Sequence, residues 1–260
     1  MELQHRVEQM IEENGQGNVC LSFIDLKTGI HFSVFGDKTV PSASIIKLLI
    51  LAELLRRVDA GEMSLNKRVT VTEKDWTGGD GVLKELAPGH TFTLKELATL
   101  MIIVSDNEAA NLLIGLLGMD NINRMGRRLG LKAARLGRRM MDAKALQEGR
   151  DNFISSDDAA QILQKVYEGS LVSKEASALM LDILKRQQQG DRLQRYLPED
   201  VPLAHKCGDL TGVENDAGIF LFPDHPYILV ALTSNQPSPA AGKEIIGKLS
   251  LLVYQQVMKG

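Results

Sequence analysis

The strand-like segments of this 260-residue chain lie near its two ends, with a long helical stretch between them. Short apolar runs bounded by turn residues predict five strands, which span Asn18 to Ile24, Ile30 to Phe35, Leu203 to Cys207, Asp216 to Phe222 and Tyr227 to Thr233. The loop between the first two contains Gly29, the residue type that a hairpin favours. A sheet that collects strands from both ends of a chain carries the residues between them as an insertion.

Around these strands the apolar residues recur every three to four positions, which predicts helices. The predicted helices cover Glu2 to Asn14, Ser44 to Ala60, Thr93 to Ser105, Asn107 to Leu117, Met119 to Leu129, Ser156 to Glu168, Lys174 to Gln188 and Ala240 to Met258. Gly15 and Gly61 are expected to end the first two. The sequence therefore predicts an α+β fold. Residues 1–60 and 200–260 form a five-stranded antiparallel sheet flanked by helices, and residues 61–199 form an inserted all-helical domain.

The composition argues against several kinds of partner. The 30 Lys and Arg residues against 33 Asp and Glu residues give a formal net charge of −3, which does not attract nucleic acid. No apolar run reaches the ~18 residues that a membrane span needs. Cys20 and Cys207 do not amount to a disulfide framework. No secretory leader pattern precedes the first helix, so we expect a cytoplasmic protein if Met1 is native, and a periplasmic or secreted one if a leader was removed.

Ser44 and Lys47 open the second predicted helix and lie one turn apart on the same face. A lysine whose pKa is lowered by burial or by neighbouring cations can take the proton of a serine hydroxyl, which activates that hydroxyl as a nucleophile. Amide groups at a helix start can also stabilise an oxyanion. Taken alone, an N-cap serine followed by an exposed lysine is the simpler interpretation. Ser64 and Lys67, in a polar connector, form a second pair with this spacing.

Two further motifs are ambiguous when each is taken singly. Residues 105–107, Ser-Asp-Asn, fall at a junction of two predicted helices, where an N-cap is the simpler interpretation. Residues 206–208, Lys-Cys-Gly, lie in a predicted strand, where an edge lysine before a turn is expected. A Lys-Thr-Gly string at 27–29 lies in the predicted hairpin and is interpreted as a turn.

Together the three motifs resemble those of the penicillin-recognising serine hydrolases, and most closely those of the class A β-lactamases, whose set is S-x-x-K, S-D-N and K-T-G. The strings PSASIIKLLILAEL and SDNEAANLLIGLLG also resemble the family's first and second motif helices. The resemblance covers nearly the whole chain. It implies the β-lactamase and transpeptidase type of fold, a β-lactam or related small acyl donor as substrate, no metal or other cofactor, and a monomer.

The resemblance also implies roles for individual residues. Ser44 would attack the substrate carbonyl, and Lys47 would take part in its activation. Ser105 would pass a proton to the leaving nitrogen, and Asn107 would hold Lys47 and the substrate side chain. The backbone amides of Ser44 and Asp209 would hold the oxyanion. Four residues would bind the substrate: Lys206, Cys207, Gly208 and Asp209.

The third motif departs from the family pattern at Cys207, which replaces the usual Thr or Ser. A thiol is a weaker hydrogen-bond donor to a substrate carboxylate, towards which Lys206 would supply positive charge. If this thiol lines the cleft, we expect it to be open to alkylation. Many members also have an Arg just before the glycine of the next strand, where this chain has Ala217 before Gly218. Recognition of a substrate carboxylate is therefore expected to be looser.

A third departure concerns deacylation. Class A members carry a Glu that activates the deacylating water, within an omega-type loop that corresponds here to residues 136–155. The expected E-x-x-L-N string is missing, and Asp142 is a better placed substitute than Glu148, although a solvated loop carboxylate is the simpler interpretation. The sequence therefore predicts a β-lactam hydrolase with impaired deacylation. Two alternatives stay open: an esterase or peptidase on the same scaffold, and a penicillin-binding sensor without turnover.

Overall fold

The computed structural model describes residues 2–14 and 16–259, so the predicted helix end at Gly15 lies outside the described residues. The strands are β1 (Asn18–Asp25), β2 (His31–Val34), β3 (Val40–Pro41), β4 (Arg68–Thr70), β5 (Thr91–Thr93), β6 (Phe153–Ile154), β7 (Leu203–Leu210), β8 (Val213–Phe220) and β9 (Tyr227–Ser234). The helices are α1 (Glu2–Asn14), α2 (Lys47–Asp59), α3 (Leu94–Ile103), α4 (Asn107–Leu117), α5 (Met119–Arg128), α6 (Ala143–Gln147), α7 (Ser156–Tyr167), α8 (Lys174–Leu184) and α9 (Pro239–Val257).

Five strands from the two ends of the chain form one antiparallel sheet in the order β2-β1-β9-β8-β7. Strand β1 pairs with β9 along its whole length, for example Phe23 with Leu229, and this pairing joins the amino-terminal hairpin to the carboxyl-terminal strands. The predicted α+β fold with a five-stranded antiparallel sheet is confirmed.

Several strand boundaries differ from the prediction, and two of them have a clear structural reason. Strand β2 stops before Phe35, whose φ of 52° turns the chain out of the strand. Strand β8 begins at Val213 rather than Asp216, because its polar residues are buried in hydrogen bonds: the side-chain oxygen of Asn215 accepts from the amide of Thr233 over 3.0 Å. The polar residues at the start of β8 favour a loop in the prediction. In the structure they belong to the strand and form buried hydrogen bonds.

Each face of the sheet packs against helices. Leu229 and Val230 of β9 are neighbours that point to opposite faces and belong to two different core clusters. The cluster that contains Leu229 lies between the sheet and helices α1 and α9. The second cluster, which contains Val230, joins the sheet to the long helical stretch. This second cluster contains residues of both the sheet and the helical stretch, so it marks no division between two domains. The predicted domain boundaries at residues 60 and 200 stay a prediction.

Helix α2 runs through the interior, and every residue from Lys47 to Leu55 is buried. A helix that is apolar on all sides requires such an environment. The predicted helix start at Ser44 falls within a 3-10 turn, Ala43–Ile46, that leads into α2. The nucleophile candidate is therefore carried by the turn that leads into a buried helix. Within residues 2–14 and 16–259, every helix falls short of the length and apolarity that a bilayer crossing requires.

Candidate active site

Ser44 lies in the turn before α2, and that turn is held from outside its own helix. Ala43 has a φ of 46°, a left-handed conformation that is unfavourable for a residue other than glycine. The side-chain amide of Asn215, on β8, donates to the carbonyl oxygens of Pro41 (3.0 Å) and Ser42 (3.2 Å). A buried side chain of the sheet thus fixes the strained segment that presents Ser44.

Strand β7 passes directly against this turn at Gly208. A Cβ atom at this position would lie 2.9 Å from both Cα and Cβ of Ser44, and closer still to its backbone nitrogen. Because Cβ atoms do not approach other atoms so closely, only glycine allows the strand to reach the nucleophile. This contact is the structural reason for the glycine of the third motif.

Three side chains meet at the hydroxyl of Ser105, which donates to Oγ of Ser44 over 2.8 Å. Nζ of Lys47 donates to Oγ of Ser105 (3.1 Å), to its carbonyl oxygen (2.6 Å) and to Oδ1 of Asn107 (2.8 Å). Nζ of Lys206 donates to the same hydroxyl over 3.2 Å. The structure therefore brings together the four predicted catalytic residues and Lys206. The hydrogen-bonded path from Ser44 to Lys47 runs through Ser105.

The Ser-Asp-Asn motif supports the site and begins a helix at the same time. Ser105 has a φ of 56°, so the chain turns sharply there. One oxygen of Asp106 caps α4 by accepting from the amide of Ala109 (2.9 Å), and the other accepts from the amide of Val82 (2.7 Å). The N-cap interpretation is correct for Asp106, while Ser105 and Asn107 on either side of it contact Lys47.

Burial changes the acid–base properties of the two lysines, whose side chains are inaccessible to solvent. Desolvation lowers the pKa of Lys47 well below its ordinary value, and the positive charge of Lys206 lowers it further. Desolvation also lowers the pKa of Lys206. Because only the neutral amine can accept a proton, these shifts make Lys47 a better base at neutral pH than an exposed lysine.

Cys207 does not line the cleft, which corrects the prediction that it binds the substrate. The condition for alkylation of its thiol, a place in the cleft lining, is therefore not met. Its side chain is fully buried, and Sγ donates to Oε1 of Gln189 over 3.0 Å. Burial raises the pKa of the thiol to about 11. Successive side chains of a strand point to opposite faces, so Cys207 points away from the site when Lys206 points towards it.

The loop at 136–155 is closed by its own polar groups. Oδ1 of Asn152 accepts from the amides of Gly137 (2.8 Å) and Arg138 (3.0 Å), which joins the two ends of the loop. Arg138 pairs with Asp151 at 2.7 Å. Strand β6, at the end of the loop, pairs with β3 just before Ser44. The loop is therefore attached to the segment that carries the nucleophile.

Two methionines of this loop border the cleft, and Met140, which is buried, also packs within the hydrophobic core. Asn111, one turn along α4 from the second motif, accepts from the amide of Met140 (2.8 Å) and donates to its carbonyl oxygen (3.1 Å). Met141 has a φ of 59° and a half-exposed side chain. Asp142, the predicted substitute base, caps α6 by accepting from the amide of Ala145 (2.9 Å) and lies outside the cavity lining. The structure thus gives Asp142 the role of a helix cap.

A cavity of about 300 Å³ opens in front of Ser44. Its walls include Met140 from the loop, Asp209 from β7 and Asp80 from the segment before α3. Asp80 belongs to none of the sequence motifs, so no pattern in the sequence marks it as a cleft residue. The spacing of Asn111, four residues after Asn107 on one predicted helix face, could have identified that residue.

Sequence strings that repeat the motifs elsewhere lie away from the site. Ser64 and Lys67 are exposed in the connector after α2, where the amide of Lys67 donates to the carbonyl oxygen of Ser64 over 3.0 Å. The Lys-Thr-Gly string at 27–29 forms the turn between β1 and β2. What the site can do chemically is acyl transfer, since it joins a serine hydroxyl, a buried amine and a second hydroxyl that can pass a proton between them.

Comparisons with known proteins agree with this chemistry. A family model described as the beta-lactamase enzyme family matches residues 2–257. A beta-lactamase of Streptomyces lavendulae is 30% identical over 241 residues, which cover 88% of this chain and 78% of that protein. A solved beta-lactamase from Sphaerobacter thermophilus superposes with a TM-score of 0.91 at 34% identity, covering 99% of this chain and 97% of that one.

A second solved structure, of a protein named PBP-A, is similar over 100% of this chain and 97% of its own, with a TM-score of 0.90 and 29% identity. A mutant of PBP-A has also been solved as an acyl-enzyme complex with penicillin G. The similarity of fold therefore extends to a protein of which one mutant has been solved with covalently bound penicillin G.

Proposed function

Because this chain belongs to the beta-lactamase enzyme family and is a serine β-lactamase-type hydrolase, we propose that it opens β-lactam amides through an acyl-enzyme on Ser44, and that hydrolysis of this intermediate limits turnover. In the first step Oγ of Ser44 bonds to the lactam carbonyl carbon, the C–N bond breaks, and the serine proton passes to the leaving nitrogen. In the second step the oxygen of a water bonds to the same carbon, the ester bond to Ser44 breaks, one proton of the water restores the hydroxyl of Ser44, and the acid is released.

The proton path supports the first step. Oγ of Ser105 lies 2.8 Å from Oγ of Ser44 and 3.1 Å from Nζ of Lys47, so a proton that leaves Ser44 can reach the amine through one hydroxyl. The lowered pKa of Lys47 makes the neutral amine available. The proton then returns through Ser105 to the nitrogen. We assign the oxyanion to the backbone amides of Ser44 and Asp209, because β7 crosses the nucleophile turn there.

The observation that carries the second part of the proposal is that the carboxylates of the 136–155 loop already have partners. Asp142 caps α6. Glu148 pairs with Arg150, and Asp151 pairs with Arg138. A positioned general base contributes about 10² to 10⁴ in rate, or roughly 3 to 5 kcal/mol of barrier. The loop residues that line the cleft are Arg138, Met140, Met141, Asp151 and Asn152. The one carboxylate among them, Asp151, is paired with Arg138, so we infer that most of this contribution is missing from deacylation.

Two alternatives share the first step. One is an esterase or peptidase on the same scaffold, for which β-lactams are incidental acylating agents. The other is a sensor that is acylated and then not deacylated. This second alternative is favoured because the carboxylates of the loop are already paired and none is left to act as the deacylating base. Steady-state turnover of a chromogenic cephalosporin beside that of a simple aryl ester separates them. Faster ester turnover indicates the first alternative, and stoichiometric acylation without turnover of either compound indicates the second.

Covalent labelling tests the proposed nucleophile. Benzylpenicillin should add one acyl group per chain, and peptide mapping should place it on Ser44. The Ser44→Ala variant should remain unlabelled, whereas Ser64→Ala, which alters the second Ser-x-x-Lys pair, should be labelled like the parent protein. An adduct on Ser64 or Ser105, or full labelling of Ser44→Ala, would contradict the assignment.

A further inference from the structure

Arg192 lies buried behind β7, and carboxylates of the protein itself occupy its guanidinium group. Nε donates to Glu214 (2.7 Å), Nη1 to Asp191 (2.7 Å) and Nη2 to Asp209 (2.7 Å). The side chain of Arg192 is only 3% exposed. Lys243 also pairs with Asp191, at 2.6 Å. Two basic groups therefore face three acidic ones, and no guanidinium edge is left for an anionic ligand.

Asp209 is the member of this cluster that reaches the cavity. Its carboxylate is 46% exposed and forms part of the cavity wall, one residue after the glycine that touches Ser44. A substrate carboxylate bound beside β7 would approach the guanidinium of Arg192 from the same direction. It would meet the negative charge of Asp209 first.

Other cationic and donor groups near this part of the cleft are also engaged. Lys206 is fully buried and donates to Oγ of Ser105 and to the carbonyl oxygen of Cys207 (2.5 Å). The basic residue that lines the cavity, Arg138, pairs with Asp151. Lys84 donates to the carbonyl oxygen of Gly79 from outside the cavity lining.

Asp80 adds a further negative charge to the cavity lining. Its side chain is exposed and lines the cavity, and it forms no ion pair within the part of the chain that the structure describes. The lowered pKa of Lys47 and that of Lys206 also reduce the positive charge beneath the cleft. The exposed carboxylates of Asp80 and Asp209 therefore give the cleft surface a negative charge, while the two buried lysines beneath it carry less positive charge than exposed lysines would.

We propose that Asp209 occupies, with its own carboxylate, the place at which a substrate carboxylate would meet Arg192. Between acyl donors that are otherwise alike, the enzyme then acylates faster with the one that is uncharged or cationic on the leaving-group side, and the carboxylate of a β-lactam is a group that it tolerates without recognising. This inference rests on the proposed acylation of Ser44 and adds the substrate class to it. It also differs from the expectation that positive charge at Lys206 draws in a substrate carboxylate.

Two depsipeptide esters test the inference, because they differ in a single charge. Both carry phenylacetylglycine as the acyl group, and the leaving groups are 3-hydroxybenzamide and 3-hydroxybenzoate. The parent enzyme should prefer the carboxamide ester by about tenfold or more in acylation rate constant, the effect of one unfavourable charge contact. Asp209→Asn should remove most of that preference by releasing Nη2 of Arg192. Asp209→Glu, which keeps the charge, should retain it.

Asp120→Asn is the matched control, since it removes one exposed carboxylate from α5, outside the cavity lining. It should leave the ratio of the two rate constants within a factor of about two of the parent. A parent enzyme that prefers the carboxylate ester, or a ratio that Asp209→Asn does not change, would overturn the inference while acylation of Ser44 still stands. Hydrolysis of both esters by Ser44→Ala would instead overturn the proposed function.

Discussion

The two walls of the cleft differ in what their polar groups do. On the wall formed by α2, β7 and the start of α4, Ser44, Lys47, Ser105 and Lys206 bond to one another in a buried chain. On the wall formed by the 136–155 loop, the polar groups bond within the loop and to the adjoining helix. The cavity is lined there by Met140 and Met141 together with Arg138, Asp151 and Asn152, whose polar groups are already paired. The hydrogen bonds of the first wall connect groups that can transfer a proton, whereas those of the second wall stabilise the conformation of the loop.

This difference shows why the two half-reactions need not be equally fast on one scaffold. Acylation depends on groups carried by rigid elements, and the strained residues Ala43 and Ser105 lie among them. Deacylation depends on a base that a loop must supply to a water. A protein of this kind can therefore keep the first half-reaction complete and lose most of the second.

The largest effect is expected from Lys47→Met. Methionine fills the same buried space without an amine, so acylation by benzylpenicillin should fall by about 10³, within the range for loss of a general base. The melting temperature should change little, because the gain from no longer desolvating a buried amine is opposed by the loss of a donor to the carbonyl oxygen of Ser105 and to Oδ1 of Asn107. Stopped-flow acylation rates and a thermal melt measure both. If Lys47→Met acylates within tenfold of the parent, the buried wall does not need its amine.

Met140→Glu should produce the next largest effect. Asn111 holds this position at the cavity, so a carboxylate here can reach the deacylating water, and the slow phase should accelerate by about 10². Leu146→Glu, an exposed position of the same loop outside the cavity lining, is the matched control and should not accelerate it. Should Met140→Glu fail to fold, Met141→Glu offers a more exposed position. Equal slow phases in all of these folded variants would mean that the loop does not limit deacylation.

A smaller effect is expected from Lys206→Met on the pH dependence of acylation. The charge of Lys206 lowers the pKa of Lys47, so its removal should raise that pKa. Since Lys47 must be neutral to act as a base, the rising limb of acylation against pH should move to higher pH. At pH 7 the rate should then fall by about tenfold for each unit of displacement. Acylation rates between pH 5 and 10 measure the limb, with exposed Lys174→Met as a control that should leave it in place. A limb that moves to lower pH would contradict the coupling.

The smallest effect is expected from Asp142→Asn. Asparagine caps a helix about as well as aspartate does, and the side chain does not line the cavity, so both the melting temperature and the deacylation rate should stay within about twofold of the parent. Single-turnover decay of the acyl-enzyme measures the rate. A tenfold slower decay would restore Asp142 as the substitute base.

The sequence predicted the strand distribution, the helices and the three motifs because each depends on local periodicity or on a short string. Lys47 and Ser105 are examples, since the motif itself defines their spacing. The sequence could not predict that Cys207 points away from the cleft, because a strand pattern does not say which face packs against which neighbour. Nor could it predict that Arg192, behind β7, pairs with Asp209 on that strand. No sequence motif links these two residues, and their contact depends on tertiary packing.

The rate of product formation in the first turnover tests the central claim most directly. A penicillin mixed with the enzyme in a rapid-quench instrument should give a burst of ring-opened product equal to the enzyme concentration, followed by slow linear release. Intact mass at the steady state should show most of the enzyme as an adduct on Ser44. Rapid multiple turnover without a burst, and without accumulated adduct, would contradict the account that acylation is complete and deacylation is limiting.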